Sequence, residues 1–442
     1  MQKRRPAAVV LALMMVVMLV LGGCGGSANK PADTKPAAEE KEEPLNGVAI
    51  EFWYSIGGKG GEWFKNAAER FNAEQTEVKV TAVYQGDYYT NHQKISTAIA
   101  AKTPPAISMV EVASLAFFSD NGALADIETL IKDKAFLGDF HEGLLKEARW
   151  QGKMTSVPLN RSTPILYLNT TLLKEAGLDP KGPKNWDELR EYAKKLTVVK
   201  DGKVERWGFL TPVDIWFYEA MVMQAGGSIL SKDAKTATFN DAAGQAALQF
   251  WVDLIHADKV MEMPQGEKYN AWDVTTNALI NGKAAMIFSS TARMVNHVNS
   301  SKEKGYEIAT AFLPAGKNGF GTPTGGANAV ILASAPRDQQ RAAAKFLQWL
   351  VKPENAADFA KVTGYIPVNK KSVELLSDTF KAMPQFNTAI DQLKYAVPRP
   401  QHPAYSEMQE HVMKALQRAV LKEIPVKQAL DEAAALTTKS LK

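Results

Sequence analysis

Cysteine is almost missing from this chain: Cys24 is the only one in 442 residues, so no intramolecular disulfide and no multi-thiolate metal site can form. A surplus of one charge is missing too. Lys and Arg number 52 against 48 Asp and Glu, a net +4, which offers no electrostatic footprint for nucleic acid. The six histidines (His92, His141, His256, His297, His402, His411) include no pair at the close helical spacing of metal ligands. His141-Glu142 lacks the second histidine of a zincin motif, and neither a G-x-S-x-G elbow nor a Walker A loop occurs. These absences leave one pair worth testing for hydrolysis, Asp87 with Glu111. An enzyme, a cofactor and a metal are therefore not expected.

What is present begins with a basic and then apolar N-terminus. Lys3, Arg4 and Arg5 precede a continuous apolar run from Ala7 to Leu21, the pattern of a secretory signal peptide. The run ends at Leu21-Gly22-Gly23-Cys24, which resembles the bacterial lipobox, where small residues admit the peptidase and the cysteine thiol is acylated. Residues 1–23 are thus expected to be a lipoprotein signal, and Cys24 the site of lipidation. Removing Lys3, Arg4 and Arg5 leaves 49 basic against 48 acidic residues. Residues 24–44, rich in Gly, Pro, Ala and charge without apolar periodicity, cannot bury enough surface to offset their ordering entropy and read as a flexible tether. The folded body is expected from Leu45, outside the cytoplasmic membrane and lipid-anchored to it.

With 45% hydrophobic residues over this length, the body has material for two or three domains or for one two-lobed unit. Val48 to Ser55 alternates as a strand and runs into the glycine cluster Gly57 to Gly61. "EWFKNAAERFNAEQ" then repeats apolar residues at helical spacing before "EVKVTAVY" alternates again, a strand-helix-strand unit. "PAISMVEVAS" supplies another short strand, and "NWDELREYAKKL" a helix with Asn185 as its N-cap. The interleaving predicts an α/β protein with mostly parallel sheets and a helical C-terminal part from about Ala342. The glycine cluster opens a helix, where unpaired N–H groups could meet an anion or a sugar hydroxyl; a plain turn fits as well. Trp251, Phe250, Phe346 and Trp349 fall on helical patterns that belong to a core, Trp53 fits core or cleft, and Trp272 is undecided.

Four stretches in order, "VPLNRSTPILYLNTTLLKEAGLDPKGPKNWDEL" (157–189), "ALINGKAAMIFSS" (278–290), "TGGANAVIL" (324–332) and "AAAKFLQWLVKPENAADFAKVTGYIPV" (342–368), resemble the family 1 extracellular solute-binding proteins. These are the capture subunits of carbohydrate-type ABC importers, and the similarity runs closest to the glycerol-3-phosphate-binding branch. The resemblance implies a two-lobed periplasmic-binding-protein-like α/β fold of class II type. Its discontinuous lobes would be 45–159 plus 327–363 and 164–321 plus 369–442, joined by a three-crossing hinge at 160–163, 322–326 and 364–368. It also implies a monomer that delivers a carbohydrate or polyol to two permease subunits served by a cytoplasmic ATPase; a sensory lipoprotein without transport is the alternative.

Carried over by position, Tyr88, Glu111, Ser162, Ser290, Gly326 and Tyr365 match ligand-contacting positions, with Trp216 as a looser match for a stacking face. The branch clamps phosphate with an arginine in its C-terminal helical segment, where this chain shows Gln409 or Val412. Glutamine lacks the charge and the fork that phosphate oxygens favour. Arg161, beside Ser162, and Arg399 are the candidates to replace it. A neutral carbohydrate is accordingly expected first, and a glycerophosphodiester or glycerol-3-phosphate second.

Overall fold

Strand Val48–Tyr54 buries Ile50, Phe52 and Tyr54 and turns Glu51 outward, and it pairs in parallel with Val78–Tyr84 on one side and Ile107–Glu111 on the other. Helix Gly58–Glu74 connects the first two, covering the sheet with Trp63, Phe64, Ala67 and Phe71 at spacings of one face of a helix. The structure, a computed structural model, describes residues 43–131, 133, 135–262 and 270–442. The expected signal segment, Cys24 and nearly all of the tether lie outside the described residues.

Two five-stranded sheets carry the two lobes. The first runs Val78–Tyr84, Val48–Tyr54, Ile107–Glu111, Gly325–Ile331, Val157–Ser162, and the second Ile308–Ala311, Pro164–Asn169, Ala284–Ser290, Lys203–Leu210, Val198–Lys200. Each lobe has its own apolar core. Phe52, Phe64, Phe71 and Phe346 fill the first, and Tyr167, Phe209, Phe217 and Trp251 the second. Phe250 and Trp349 are buried in these cores as the helical spacing predicts, while Trp53 packs at the side of a smaller cluster around Ile95 and Phe118.

The sheets are mixed, which corrects the expectation of mostly parallel ones. Gly325–Ile331 is antiparallel to both its neighbours, and the second sheet holds one parallel contact, Ala284–Ser290 with Lys203–Leu210, among antiparallel ones. The reason is local in one place and topological in the other. Asp201 and Gly202 both take positive φ, the requirement of a tight hairpin turn, so Val198–Lys200 folds back on the next strand. Gly325–Ile331 instead returns from the second lobe and enters the first sheet from its opposite end.

The chain leaves the first sheet at Ser162 and joins the second at Pro164, with Thr163 between. It comes back through Thr322–Pro323, which pairs with Ala396–Val397, into Gly325–Ile331. The stretch 364–368, expected as the third crossing, stays against the first lobe. Ile366 N–H donates to Arg161 O, His141 N–H to Val368 O, and Lys371 Nζ lies 2.7 Å from Asp139. Leu376 still packs on Ala357 and Ala360 of helix Pro353–Thr363, Phe380 packs on both that cluster and the second core, and Met383 and Phe386 then lie with the second core. The change of lobe therefore falls between Leu376 and Met383, after a short helical extension, Lys370–Glu374, that the Gly and Pro content of 364–368 does not reveal.

Candidate functional site

A cleft of about 790 Å³ opens where the strand ends of the two sheets face each other. Seven of the eight expected site residues line it: Tyr88, Glu111, Ser162, Trp216, Ser290, Gly326 and Tyr365. They arrive from different elements. Tyr88 starts helix Tyr88–Ala100, whose N-cap Asp87 accepts from Thr90 N–H at 2.7 Å; Glu111 ends its strand; Ser162 and Ser290 end strands of opposite lobes. A smaller hollow of about 400 Å³ between Asp126, Trp150 and Gln340 collects none of these groups.

Arg161 is the exception. It is 1% exposed and its guanidinium is taken up by Glu147, by Gly325 O at 3.0 Å and by Asn328 Oδ1 at 3.3 Å. Glu147 also accepts from Thr324 Oγ1 at 2.7 Å, so Arg161 and Glu147 pin the two crossing strands to each other beneath the cleft. The alternation of strand Val157–Ser162 explains why: Ser162 faces the opening, so its neighbour faces away.

Arg399 does reach the cleft. Its Nη1 donates to Glu111 Oε1 at 2.6 Å, its Nε to Glu219 Oε2 at 2.8 Å, and its Nη2 to Tyr405 OH at 2.6 Å, while Tyr405 OH donates to Glu219 Oε1. Glu219, fully buried, and Glu111 are both held above the ordinary carboxylate value by burial, against the pull of Arg399. Burial disfavours the Arg399 charge, yet Glu219, Tyr405 and Glu111 more than offset it and hold its proton firmly. Two carboxyls thus share one guanidinium whose fork is mostly occupied. Gln409 lines the cleft with its Oε1 unpartnered, whereas Val412 packs in the second core, so of the two only Gln409 faces the cleft.

The aromatic wall has two tryptophans. Trp216 and Trp272 stack with centroids 6.0 Å apart, and Asp214 accepts from Trp216 N–H at 2.8 Å and Trp272 Nε1 at 3.3 Å. Trp216 Nε1 donates to Thr324 O at 3.2 Å, which sets the ring edge-on to the returning strand. Arg293 lies over Trp272 at 5.7 Å and bonds Asp273 at 2.6 Å. Across the cleft Tyr88 accepts from Asn160 Nδ2 at 2.8 Å, and burial pushes both its phenol and that of Tyr365 up, so both remain protonated donors. The Asp87 and Glu111 pair has other duties, capping a helix and pairing with Arg399.

Sequence reasoning missed Glu219, Tyr405, Asp214 and the helix Met294–Glu303. For Glu219 a signal existed: it is the lone charge in "IWFYEAMVMQ", an apolar-all-round helix, and a charge buried there must have a partner.

Residues 66–388 match the family of bacterial extracellular solute-binding proteins. An sn-glycerol-3-phosphate-binding periplasmic protein of Pectobacterium atrosepticum is 28% identical over 342 residues, 74% of each chain. The cyclic alpha-maltosyl-1,6-maltose binding protein of Arthrobacter globiformis superposes with a TM-score of 0.73 at 25% identity, over 89% of this chain and 99% of that one. The Mycobacterium tuberculosis UgpB structure in complex with glycerophosphocholine gives 0.79 at 23% identity, over 89% and 98%.

Proposed function

This chain belongs to the family of bacterial extracellular solute-binding proteins, and from that premise we propose that it captures a neutral carbohydrate or polyol between its lobes and delivers it to an ABC importer. The observation that carries the choice of solute is the charge at the cleft. Each cation lining it, Lys59, Arg293 and Arg399, already faces a carboxylate: Glu62, Asp273, and Glu111 with Glu219. A phosphate monoester would enter with its own negative charge and meet no unshared guanidinium, while Glu111 and the unpartnered Oε1 of Gln409 offer acceptors that hydroxyl groups satisfy. The stacked Trp216 and Trp272 supply a face for the apolar C–H side of a sugar. Glycerol-3-phosphate, bound by relatives of this chain, is for these reasons the weaker ligand here, and a glycerophosphodiester, with one charge fewer, comes between.

Calorimetric titration against mono- and oligosaccharides, glycerophosphocholine and glycerol-3-phosphate tests this order. A carbohydrate is expected to bind most tightly, and small-angle scattering at saturation to show a smaller radius, because a ligand bridging two lobes favours the closed form through its extra contacts there. Glycerol-3-phosphate as the tightest ligand would count against the charge argument, and an unchanged radius against closure.

Lipidation of Cys24 is part of the same proposal. Cys24→Ser is expected to release the protein from the membrane fraction with ligand affinity intact, since the tether holds the anchor away from the cleft. Retention of the processed variant in membranes would exclude that role.

A further inference from the structure

Where the chain passes between the lobes, hydrogen bonds show which lobe holds each residue. Arg161 belongs to the first: its carbonyl accepts from Ile366 N–H at 2.8 Å, and its Nε donates to Gly325 O at 3.0 Å. Thr163 belongs to the second. Its N–H donates to Thr291 Oγ1 at 3.3 Å, its carbonyl accepts from Thr291 N–H at 3.1 Å, and Gln392 Nε2 donates to the next carbonyl, Pro164 O, at 2.7 Å. On the returning link the ties to both lobes meet on one residue, Thr324.

Thr324 Oγ1 donates to Glu147 Oε1 at 2.7 Å in the first lobe, its N–H donates to Val397 O at 3.0 Å, and its carbonyl accepts from Trp216 Nε1 at 3.2 Å in the second. The indole also presses on the next residue: a Cβ on Gly325 would lie 2.8 Å from Cε2 of Trp216. Gly325 takes no positive φ, so what the glycine supplies here is room for the ring. Glu147 is 5% exposed and its other oxygen pairs with Arg161, whose Nε in turn holds Gly325 O. Trp216 therefore hangs from the second lobe by its helix, Ile215–Gln224, while its indole edge rests on two residues that the Glu147 and Arg161 pair fixes to the first.

We propose that Glu147 and Thr324 are positioning residues for solute binding: through Thr324 and Gly325 the buried Glu147–Arg161 pair sets the orientation of the Trp216 ring, so that affinity depends on side chains that do not line the cleft. The inference rests on the reading of Trp216 as a face for the solute. A hydrogen bond to a charged group is stronger than a neutral one and weakens steeply with angle, so Glu147 holds the Thr324 hydroxyl, and with it the neighbouring carbonyl, in a narrow range of positions.

The test is fluorine NMR of the full chain labelled with 5-fluorotryptophan, in which Trp216→Phe identifies the Trp216 line among the nine tryptophans. Thr324→Val keeps the branched shape and removes the hydroxyl, and Glu147→Gln removes the charge without touching a hydrogen bond of the ring. Each is expected to shift the Trp216 line and to leave those of Trp63, Trp186 and Trp349 in place, and the double variant to add nothing, because both act through one bond. Thr324→Ser, which restores the hydroxyl, is expected to restore the line. Gly325→Ala leaves the ion pair intact and displaces the ring directly, so it should move the same line even if Glu147→Gln folds poorly. Calorimetric titration supplies the second measurement, with whichever of maltose, trehalose, raffinose, glucose, galactose, glycerophosphocholine and glycerol-3-phosphate binds the unaltered chain most tightly as the probe. Its affinity is expected to fall about tenfold in Thr324→Val, the scale of one hydrogen bond to a charged group, and to return in Thr324→Ser. A Trp216 line unmoved by Thr324→Val and Glu147→Gln overturns the positioning and leaves the solute reading standing. A line that moves while affinity stays unchanged overturns the part given to Trp216 in binding.

Discussion

Arg399→Met is expected to lower the stability of the folded chain by about 3–5 kcal/mol, the range for removing one partner from a buried ion pair, and to abolish high-affinity solute binding. The guanidinium is 4% exposed and is the cation that Glu111 and Glu219 face, with Glu219 fully buried. Methionine fills much of the volume but leaves both carboxyls and Tyr405 OH to each other. Glu111 and Glu219 are raised by burial even with Arg399 present, so the native state keeps protons that the unfolded chain has released above the ordinary value of 4.5. Their contribution is present below that value and lost as pH rises through the interval up to the native pKa values. Removing Arg399 raises those values further and widens the interval, so the variant should be least impaired at acid pH. Urea unfolding at pH 5 and pH 8 measures this, and an equal loss at both would show that the carboxyls do not depend on Arg399. Adding Glu219→Leu to the variant should recover part of the stability, because a buried charge without a partner costs more than an apolar side chain in its place.

Gly326→Ala is expected to cost about 3 kcal/mol or more, since left-handed strain at a non-glycine residue alone is worth about 1–3 kcal/mol. Its φ is +92°, and a Cβ there would lie 1.9 Å from Asn160 O and 3.0 Å from Arg161 Cα, both backbone atoms that no rotamer change can move. The strands must therefore part at the point where Gly326 pairs with Arg161, just before the register shift at Ala327 and Asn328. Asn160 holds Tyr88 through its amide, so the displacement reaches the cleft and should weaken binding as well as folding. A fall in the urea midpoint with an unchanged m-value, together with a weaker titration, is the expected result. An unchanged midpoint would mean that the strands can separate at no cost, which the antiparallel pairing on both sides of Gly326 argues against.

Much of this molecule is written locally. Alternation in "VAIEFWY", helical spacing in "EWFKNAAERF" and the Asn185 cap, which accepts from Glu188 N–H at 2.9 Å, each depend on residues a few positions apart, and each is legible in the sequence. So are the two lobes and most of the cleft residues, because the resembling motifs sit at strand ends, where the backbone places side chains in the opening. Arg161 misled for the same local reason: adjacency to Ser162 in sequence means opposite faces on a strand, and its face leads to Glu147.

Long-range pairing is where the sequence by itself stops. Composition and periodicity determined the element types, the helical C-terminal part and the absence of disulfide or thiolate-metal chemistry, since each follows from residue identity or short spacing. Only the tertiary structure decided that Glu111, Glu219, Arg399 and Tyr405, spread over nearly 300 positions, share one buried network. It also decided that Gln409 and not Val412 faces the cleft, and that helix Met294–Glu303 buries Met294 and His297 while Asn296 and Asn299 line the cleft. The physical reason is that a buried charge or an unpartnered amide constrains its surroundings through space. A guanidinium needs carboxylates within hydrogen-bond reach, but nothing in the chain between them records which ones, because the folded strands and helices, and not the sequence separation, set that distance.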